Sequence, residues 1–243
     1  MHTICDKTSS NSSPHQTAAI PLWKRSVDIA CCVVVMPILA LCTLVMTIVT
    51  QIVSPGPVFF RQERIGYQGR RFRIYKFRTM AVSADTSVHQ NYFKNLIHTN
   101  APMMKLDVQG DKRLIPGGWL LRASGFDEMP QIINVLRGEM SVVGPRPCIP
   151  SEYKEYQPWQ RERTNTLPGL TGLWQVSGKN RTTFEEMIKL DINYSRQVSP
   201  GLDFKIIVAT IPALLIQIFE TRLRKRATTQ ISSPILARAV SRE

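Results

Sequence analysis

The sequence predicts an α+β protein, mostly helical, that is attached to one face of a membrane. Three observations carry this prediction. No charged residue occurs from Ile29 to Phe60, and an alternating stretch rich in aromatic and β-branched residues occupies positions 58–79. The later apolar segments have helical spacing between Pro and Gly residues. At 243 residues, the chain is long enough for one domain with short appendages.

The composition divides the chain into four parts. Residues 1–20 are rich in Ser, Thr and Asn and predict a disordered leader, and residues 21–54 form the membrane segment. Residues 55–220 predict a cytosolic domain, and residues 221–243 predict a basic flexible tail.

The membrane segment exceeds the roughly 20 apolar residues that a transmembrane helix needs, and Pro37 interrupts it. Lys24 and Arg25 precede its uncharged stretch, which begins at Ile29. Because cytoplasmic flanks carry the excess of Lys and Arg, a simple crossing would put one basic flank on the wrong side. We therefore predict a re-entrant helix that bends at Pro37 and returns to the same face, and an ordinary single span stays open. The denser basic flank consists of Arg61, Arg64, Arg70, Arg71, Arg73, Lys76 and Arg78.

Beyond this segment the pattern predicts a hairpin and four helices. The hairpin strands, 58–62 and 71–77, lie near lipid headgroups and are joined through Gly66 and Gly69. The apolar run 204–219 contains Pro212 and is short for a span, so we predict an interfacial or docking helix. The other helices are expected at 130–137, at 151–163 and at 183–195, the last with a capping box formed by Thr182 and Glu185.

Asp127 and Glu128 are the first candidates for chemistry. They precede Pro130, in the first turn of a predicted helix, where the helix dipole favours negative charge. This position suits a divalent metal ion and a phosphate substrate. Acids that merely decorate a helix end are the alternative, because first turns are enriched in them.

Basic residues in several segments are candidates for binding phosphate. Arg146 is held between Pro145 and Pro147, which suits bidentate contact with phosphate oxygens. Lys76 and Arg78 end the hairpin, where snorkelling at the interface is the alternative. Lys179 and Arg181 follow the glycine-rich loop 167–178, whose backbone amides could hold an anion. Asp191 and Tyr194 lie one turn apart on the helix 183–195, where we expect them on the surface.

The charge balance narrows the class of partner. The net charge of +13 indicates an anionic partner: nucleic acid, a membrane surface or phosphate-bearing substrates. The four histidines and five cysteines have no metal-ligand spacing, so we expect no zinc site and reduced thiols. Carboxylates and loop cations without histidine suit phosphoryl transfer, in which positioning and charge neutralisation supply most of the catalysis. A carboxylate can also act as the nucleophile on phosphorus.

Five motifs in a fixed order resemble the bacterial sugar transferase family, small monotopic phosphoglycosyl transferases that act on polyprenyl phosphates. The resemblance runs from Leu22 to Phe219 and fits the short, exopolysaccharide-type subgroup. The motifs are KFRTM at 76–80, DEMPQ at 127–131, RGEMSVVGPRP at 137–147, PGLTGLWQVSG at 168–178, and Leu190-Asp191-x-x-Tyr194.

The resemblance implies a two-step reaction with Mg²⁺ as cofactor. Asp127 matches the nucleophile that attacks the β-phosphorus of a UDP-sugar and releases UMP, and Glu128 matches its partner acid. The sugar phosphate then passes to undecaprenyl phosphate, with galactose or glucose as the expected sugar. Lys76, Arg122, Arg146 and Asp191 match positions linked to phosphate, nucleotide or active-site structure.

The resemblance also implies a place in the cell and a set of partners. We expect the protein in the bacterial inner membrane, with residues 55–220 as the transferase domain on the cytoplasmic side. Membrane lipids and downstream glycosyltransferases are the expected partners, and nucleic acid is not, because no recognition helix or aromatic–basic RNA signature is present. A non-catalytic basic membrane adaptor of polysaccharide assembly is the alternative function.

The chain departs from the family pattern at two positions. Gly125 stands where the family usually has Ser, two residues before the nucleophile, although Gly is an acceptable N-cap. Met36 precedes Pro37 where the family often has Ser, so a hydroxyl bond to the backbone freed by the proline is lost.

Overall fold

The computed structural model describes residues 20–80, 114–115, 118–178 and 182–219. The first element, α1 (Leu22–Val53), is one continuous helix of 32 residues with Pro37 inside it. A helix of this length is about 48 Å long. Pro37 therefore does not end the helix, and the kink and the re-entrant path stay predictions.

One side of α1 packs on the rest of the protein along its whole length. The buried residues recur at spacings of four and seven, which places them on one helix face. The other faces expose large apolar side chains, among them Val34, Leu41 and Ile48. The hydroxyls of Thr43 and Thr47 donate to carbonyls one turn back, at 2.7 and 2.8 Å, so their polarity is satisfied within the helix. The buried residues are Lys24, Asp28, Cys32, Leu39, Met46 and Thr50.

The predicted hairpin is confirmed. Strands β1 (Phe59–Ile65) and β2 (Arg71–Phe77) pair antiparallel, with Phe59 opposite Phe77 and Ile65 opposite Arg71. A 3₁₀ turn at Tyr67–Gly69 joins them, and Gly69 has a φ of 75°, a left-handed conformation that favours glycine. Ile74 and Phe77 are buried in the same hydrophobic cluster as Cys32, Leu39 and Met46 of α1.

The helix predicted at 130–137 begins earlier than expected. Helix α2 (Gly118–Ser124) is followed by a 3₁₀ helix at Phe126–Gln131 and then by α3 (Ile132–Leu136). Pro130 lies inside the 3₁₀ helix rather than at the start of an α-helix. The acid pair still lies in a first helical turn, as predicted.

A parallel strand pair stands where the sequence predicted only loops. Strands β3 (Ser141–Val143) and β4 (Gly169–Thr171) pair with Ser141 opposite Gly169 and Val143 opposite Thr171. Added at Gly144, a Cβ atom would lie 2.2 Å from the Leu167 carbonyl oxygen, so the two backbones approach too closely for a side chain. The Gly144 and Gly169 amides donate to Thr171 and Pro145 carbonyls, so neither is free to hold an anion.

The helix predicted at 151–163 is wrong, because Pro158 cannot continue a helix that started before it. The structure has α4 (Pro150–Lys154) and a separate 3₁₀ helix at Pro158–Asn165. A short helix, α5 (Leu173–Val176), follows β4.

The amphipathic helix α6 (Phe184–Arg196) confirms the prediction at 183–195, but its capping box lies one residue later than expected. Thr183 and Glu186 form it, while the Thr182 hydroxyl accepts a hydrogen bond from the Trp174 indole at 2.7 Å.

The last described helix, α7, spans Pro200–Phe219. By length and composition its 20 residues could cross a membrane, as those of α1 could, so the run is longer than predicted, and its interfacial or docking role stays a prediction. The reason is that the helix begins four residues before Phe204. Asp203, Ile206 and Gln217 are buried against the folded unit, whereas most apolar side chains of α7 are exposed.

Candidate functional site

The acid pair opens the 3₁₀ helix at Phe126–Gln131. Gly125 is its N-cap and has a φ of 76°, so a glycine is favoured there. The Glu128 amide donates to the Gly125 carbonyl at 3.0 Å, which closes the first turn. Asp127 is 7% exposed. The helix end therefore places Asp127 in the first turn, where the helix dipole favours a negative charge.

Lys76 joins the hairpin to the acid pair. Its ammonium nitrogen lies 2.7 Å from the Glu128 Oε1 atom, and 47% of the Glu128 side chain is exposed. Two residues that the sequence singled out 52 positions apart are thus in contact. The pair lies at the surface, where the ammonium can also meet the negative charge of a phosphate substrate.

Exposed apolar side chains lie near the acid pair in the chain and on α7. Phe126 and Leu120 are both substantially exposed. Gly125 lies close to α7, since a Cβ added there would be 3.6 Å from the Leu214 Cδ2 atom. The acid pair therefore lies close to the apolar side chains of α7.

The loop that carries Arg146 is held by two buried arginines. The Arg163 guanidinium donates to the Arg146 carbonyl at 2.9 Å, and the Arg64 guanidinium donates to the Pro147 carbonyl at 3.1 Å. Arg64 also donates to the Gln62 side-chain amide at 2.7 Å. Burial, and secondarily Arg146, lowers the pKa of Arg64 to about 10. The backbone of Arg146 is fixed, while its side chain is only half-buried.

Asp191 and Tyr194 are buried, so the prediction that they lie on the helix surface is wrong. The Asp191 carboxylate pairs with Arg163, which also lies 3.5 Å from Glu152 and donates to the Tyr156 hydroxyl at 2.6 Å. Burial raises the pKa of Asp191 to about 6, against the opposing effect of Arg163. Asp191 therefore lies behind the Arg146 loop, with Arg163 between them.

The remaining candidates are placed elsewhere. Arg78 is buried, and its guanidinium donates to the Ser54 carbonyl at the C-terminal end of α1. Arg122 lies in the last turn of α2, half-buried, five positions before Asp127. Lys179 and Arg181 lie outside the described residues. Phosphate binding by these four residues stays a prediction.

Sequence reasoning missed the roles of Arg64, Arg163 and Lys24. Arg64 and Lys24 had been assigned to basic flanks, and Arg163 only marked a helix end. Only Arg64 had a local sequence signal, the alternation of side chains along a strand. The observed register places it on the same sheet face as Phe72 and Ile74. The partners of the other two come from distant parts of the chain, so no local pattern could reveal them.

The side chains near the acid pair can be compared with the ligands that the predicted Mg²⁺ needs. Among the residues that the structure describes, no group of three or more His, Cys, Asp or Glu side chains could hold a metal. Mg²⁺, however, usually takes one or two carboxylates together with water and substrate phosphate oxygens. Asp127 and Glu128 fit that smaller set, so Mg²⁺ stays a prediction.

The fold and the site together define a membrane-associated protein whose charged site opens beside exposed apolar helices. The model of the family described as bacterial sugar transferase matches residues 19–217. The chain therefore belongs to the bacterial sugar transferase family, and it is a transferase.

Three relatives show how far the similarity extends. Galactosyl transferase CpsE of Streptococcus agalactiae serotype III is 41% identical over 66% of this chain and 35% of its own length. Exopolysaccharide production protein ExoY of Sinorhizobium fredii is 33% identical over 83% of this chain and 91% of its own length. The UDP-glucose:undecaprenyl-phosphate glucose-1-phosphate transferase of Caulobacter vibrioides is 35% identical, over 83% of this chain and 73% of its own length. This chain thus spans about a third of the streptococcal relative and most of the other two.

Proposed function

We propose that this protein transfers a sugar 1-phosphate from a UDP-sugar to undecaprenyl phosphate and releases UMP. We further propose that the reaction passes through a covalent intermediate on Asp127 and begins exopolysaccharide assembly at the membrane. The names of the Caulobacter and Sinorhizobium relatives support the substrates and the pathway. The acid pair at the apolar rim supports the chemistry.

In the first step, an Asp127 carboxylate oxygen attacks the β-phosphorus of the UDP-sugar. The bond between this phosphorus and the bridging oxygen breaks, and UMP leaves with that oxygen. The sugar phosphate is then joined to Asp127 as an acyl phosphate. We assign neutralisation of the diphosphate to Arg146, whose backbone is held by Arg163, because a guanidinium can bind two phosphate oxygens at once.

In the second step, an oxygen of undecaprenyl phosphate attacks the same phosphorus and displaces the Asp127 carboxylate. The product is a lipid-linked sugar diphosphate, and Asp127 is regenerated. Glu128 accepts the acceptor's proton if the lipid phosphate arrives protonated. The Lys76 ammonium, 2.7 Å from Glu128, lowers the repulsion between two negatively charged reactants.

Mg²⁺, when bound by Asp127 and Glu128, would neutralise diphosphate charge and stabilise the leaving UMP. Lys76 can supply part of that neutralisation from the protein. Its position on β2 leaves the ammonium 2.7 Å from Glu128 rather than in bulk water.

One observation carries the proposal: in the first turn of one 3₁₀ helix, the buried carboxylate of Asp127 is followed by Glu128, which pairs with Lys76, and exposed apolar side chains lie nearby. The charged group is needed for the sugar nucleotide, and the apolar rim formed by Phe126, Leu120 and α7 is needed for a polyprenyl chain. A non-catalytic adaptor requires neither the buried carboxylate nor its position beside the rim.

We propose that α1 is re-entrant and that the transferase domain faces the cytoplasm of the bacterial inner membrane. Both ends of α1 contact the folded unit that carries the acid pair: Arg25 donates to the Val135 carbonyl at the start, and Arg78 donates to the Ser54 carbonyl at the end. The buried stripe between them supports a helix that lies along this unit. Tags inserted after Ser10 and after Gln90 are then expected to be cytoplasmic together, and tags on opposite sides would contradict this topology.

Turnover with defined substrates tests the reaction. The full chain in lipid nanodiscs is given undecaprenyl phosphate and either UDP-galactose or UDP-glucose, and products are identified by mass spectrometry. We expect UMP and a lipid-linked hexose diphosphate from at least one donor. Release of UDP with a lipid monophosphate sugar would instead show transfer of the sugar alone. A Glu155→Gln variant, changed at an exposed acid, serves as the control and is expected to retain full activity.

A further inference from the structure

Backbone hydrogen bonds fix the segment 143–147, which carries Arg146. The Pro145 carbonyl accepts from the Gly169 amide at 2.9 Å, and the Gly144 amide donates to Thr171 at 2.8 Å. Three further carbonyls, those of Val143, Arg146 and Pro147, each accept from a buried cation on a different element. The three cations are Lys24, Arg163 and Arg64.

Lys24 differs from the other two cations because it comes from an apolar helix. It lies in the first turn of α1, and all three of its ammonium donors are used. They reach the Val143 carbonyl at 2.9 Å, the Tyr194 hydroxyl at 2.9 Å and the Asp203 carboxylate at 2.6 Å. A flanking residue that met only headgroups would not be arranged in this way.

Asp203 lies in the first turn of the second apolar helix, α7. The Lys24 and Asp203 side chains are 3% and 4% exposed, so the ion pair joins the two helices in the protein interior. The Tyr194 hydroxyl of α6 lies 2.7 Å from the other Asp203 oxygen and 3.0 Å from the Val143 carbonyl. The beginnings of both helices therefore meet at the residue where β3 leads into the Arg146 loop.

We propose that Lys24, Asp203 and Tyr194 form a junction between α1, α6 and α7. Through this junction, the position of the Arg146 loop depends on the positions of α1 and α7. Lys24 is a positioning residue, since it acts through the Val143 carbonyl and does not touch substrate. The inference rests on the proposed function, because it assigns the Arg146 loop to the diphosphate of the sugar nucleotide. It gives the membrane helices a role in the affinity for a soluble substrate.

The test uses the double variant Lys24→Met/Asp203→Asn in the full chain in nanodiscs. Removing both charges leaves no lone buried ion, so this variant is expected to fold more stably than Lys24→Met alone. The Val143 carbonyl still loses its ammonium donor. The matched control is Lys189→Met/Glu185→Gln, which removes an exposed Lys–Glu pair on α6.

Two measurements are compared between the variants. Hydrogen exchange of the Gly144 and Gly169 amides reports the loop, and titration with UDP reports nucleotide affinity. In the junction variant we expect exchange to be faster and UDP binding to be weaker, each by about tenfold, with both unchanged in the control. The KM for UDP-sugar should rise with that for undecaprenyl phosphate unchanged.

The outcomes separate this inference from the proposed function. Wild-type exchange rates in the junction variant, or faster exchange with undiminished UDP affinity, would overturn the inference and leave the transferase chemistry standing. Failure of the unaltered chain to bind UDP would overturn the proposed function, and the inference with it.

Discussion

Two charged regions of this protein are built from the same residue types and have opposite surroundings. The first is the acid pair with Lys76, where Glu128 is half-exposed and apolar side chains form a rim. The second is the cluster of Arg163, Asp191 and Glu152, which is buried behind the Arg146 loop. Residue type alone does not separate them, but the exposure of the ion pair does, because Lys76 and Glu128 reach the surface and Arg163 does not. Charges that substrate can reach are suited to chemistry, and charges sealed in the interior hold the backbone of a loop.

The largest expected effect is on the acid pair. Asp127→Asn removes the proposed nucleophile and should lower kcat by about 10³-fold or more, with little change in melting temperature. The assay is release of UMP in the presence of undecaprenyl phosphate. Native turnover by this variant would place the chemistry elsewhere.

The next largest expected effect is on the stability of the buried Arg163 cluster. Arg163→Met leaves Asp191 and Glu152 without their cation, so the free energy of unfolding should fall by about 3–5 kcal/mol. Arg196→Met is the matched control, because Arg196 pairs with Glu162 at the surface and should change stability by about 0–1 kcal/mol. Thermal and denaturant unfolding measure both variants. Equal effects would mean that the buried Arg163 contributes no more to stability than an exposed arginine.

Lys76→Met is expected to lower activity without lowering stability. We expect kcat/KM to fall by about 10²-fold, because a charge beside the reacting phosphate is lost, with an unchanged melting temperature. Lys189→Met, which removes a surface partner of Glu185, should leave both quantities unchanged. If Lys76→Met lowers the melting temperature as much as Arg163→Met, Lys76 is a structural cation.

The smallest effect concerns pH. The folded-state pKa of Asp191, about 6, lies above its ordinary value of 3.8. Between these values the folded protein binds the proton more readily than the unfolded chain, so this group's contribution to stability falls as pH rises from about 4 to about 6. The difference in melting temperature between the unaltered chain and Asp191→Asn should therefore shrink over this window. A difference that grows with pH would mean that Arg163 dominates over burial.

Much of the fold could be predicted from local pattern. The hairpin follows from alternation, and α6 from its amphipathic spacing. The strand pair β3–β4 could not be predicted, because each strand has three residues and the partners are far apart in the chain. Pro158 was visible in the sequence, and its effect on the helix 151–163 was overlooked.

The candidate site was predicted in part. The contact between Lys76 and Glu128 joins two residues that the sequence had singled out. Asp191 was also singled out, but its burial depends on Arg163 and Tyr156, which arrive from another segment. Lys24 was interpreted as a membrane flank because a lysine before an apolar run usually is one. Its acid partner, Asp203, lies 179 positions away.

Trapping the covalent intermediate shows directly whether Asp127 is the nucleophile. The full chain is mixed with UDP-sugar in the absence of undecaprenyl phosphate, and UMP release and intact protein mass are followed together. We expect a burst of about one UMP per chain and a mass increase of one phosphohexose on the peptide that contains Asp127. The Asp127→Asn variant should show neither. UMP release that requires the lipid acceptor, with no phosphohexose on the protein, would contradict it.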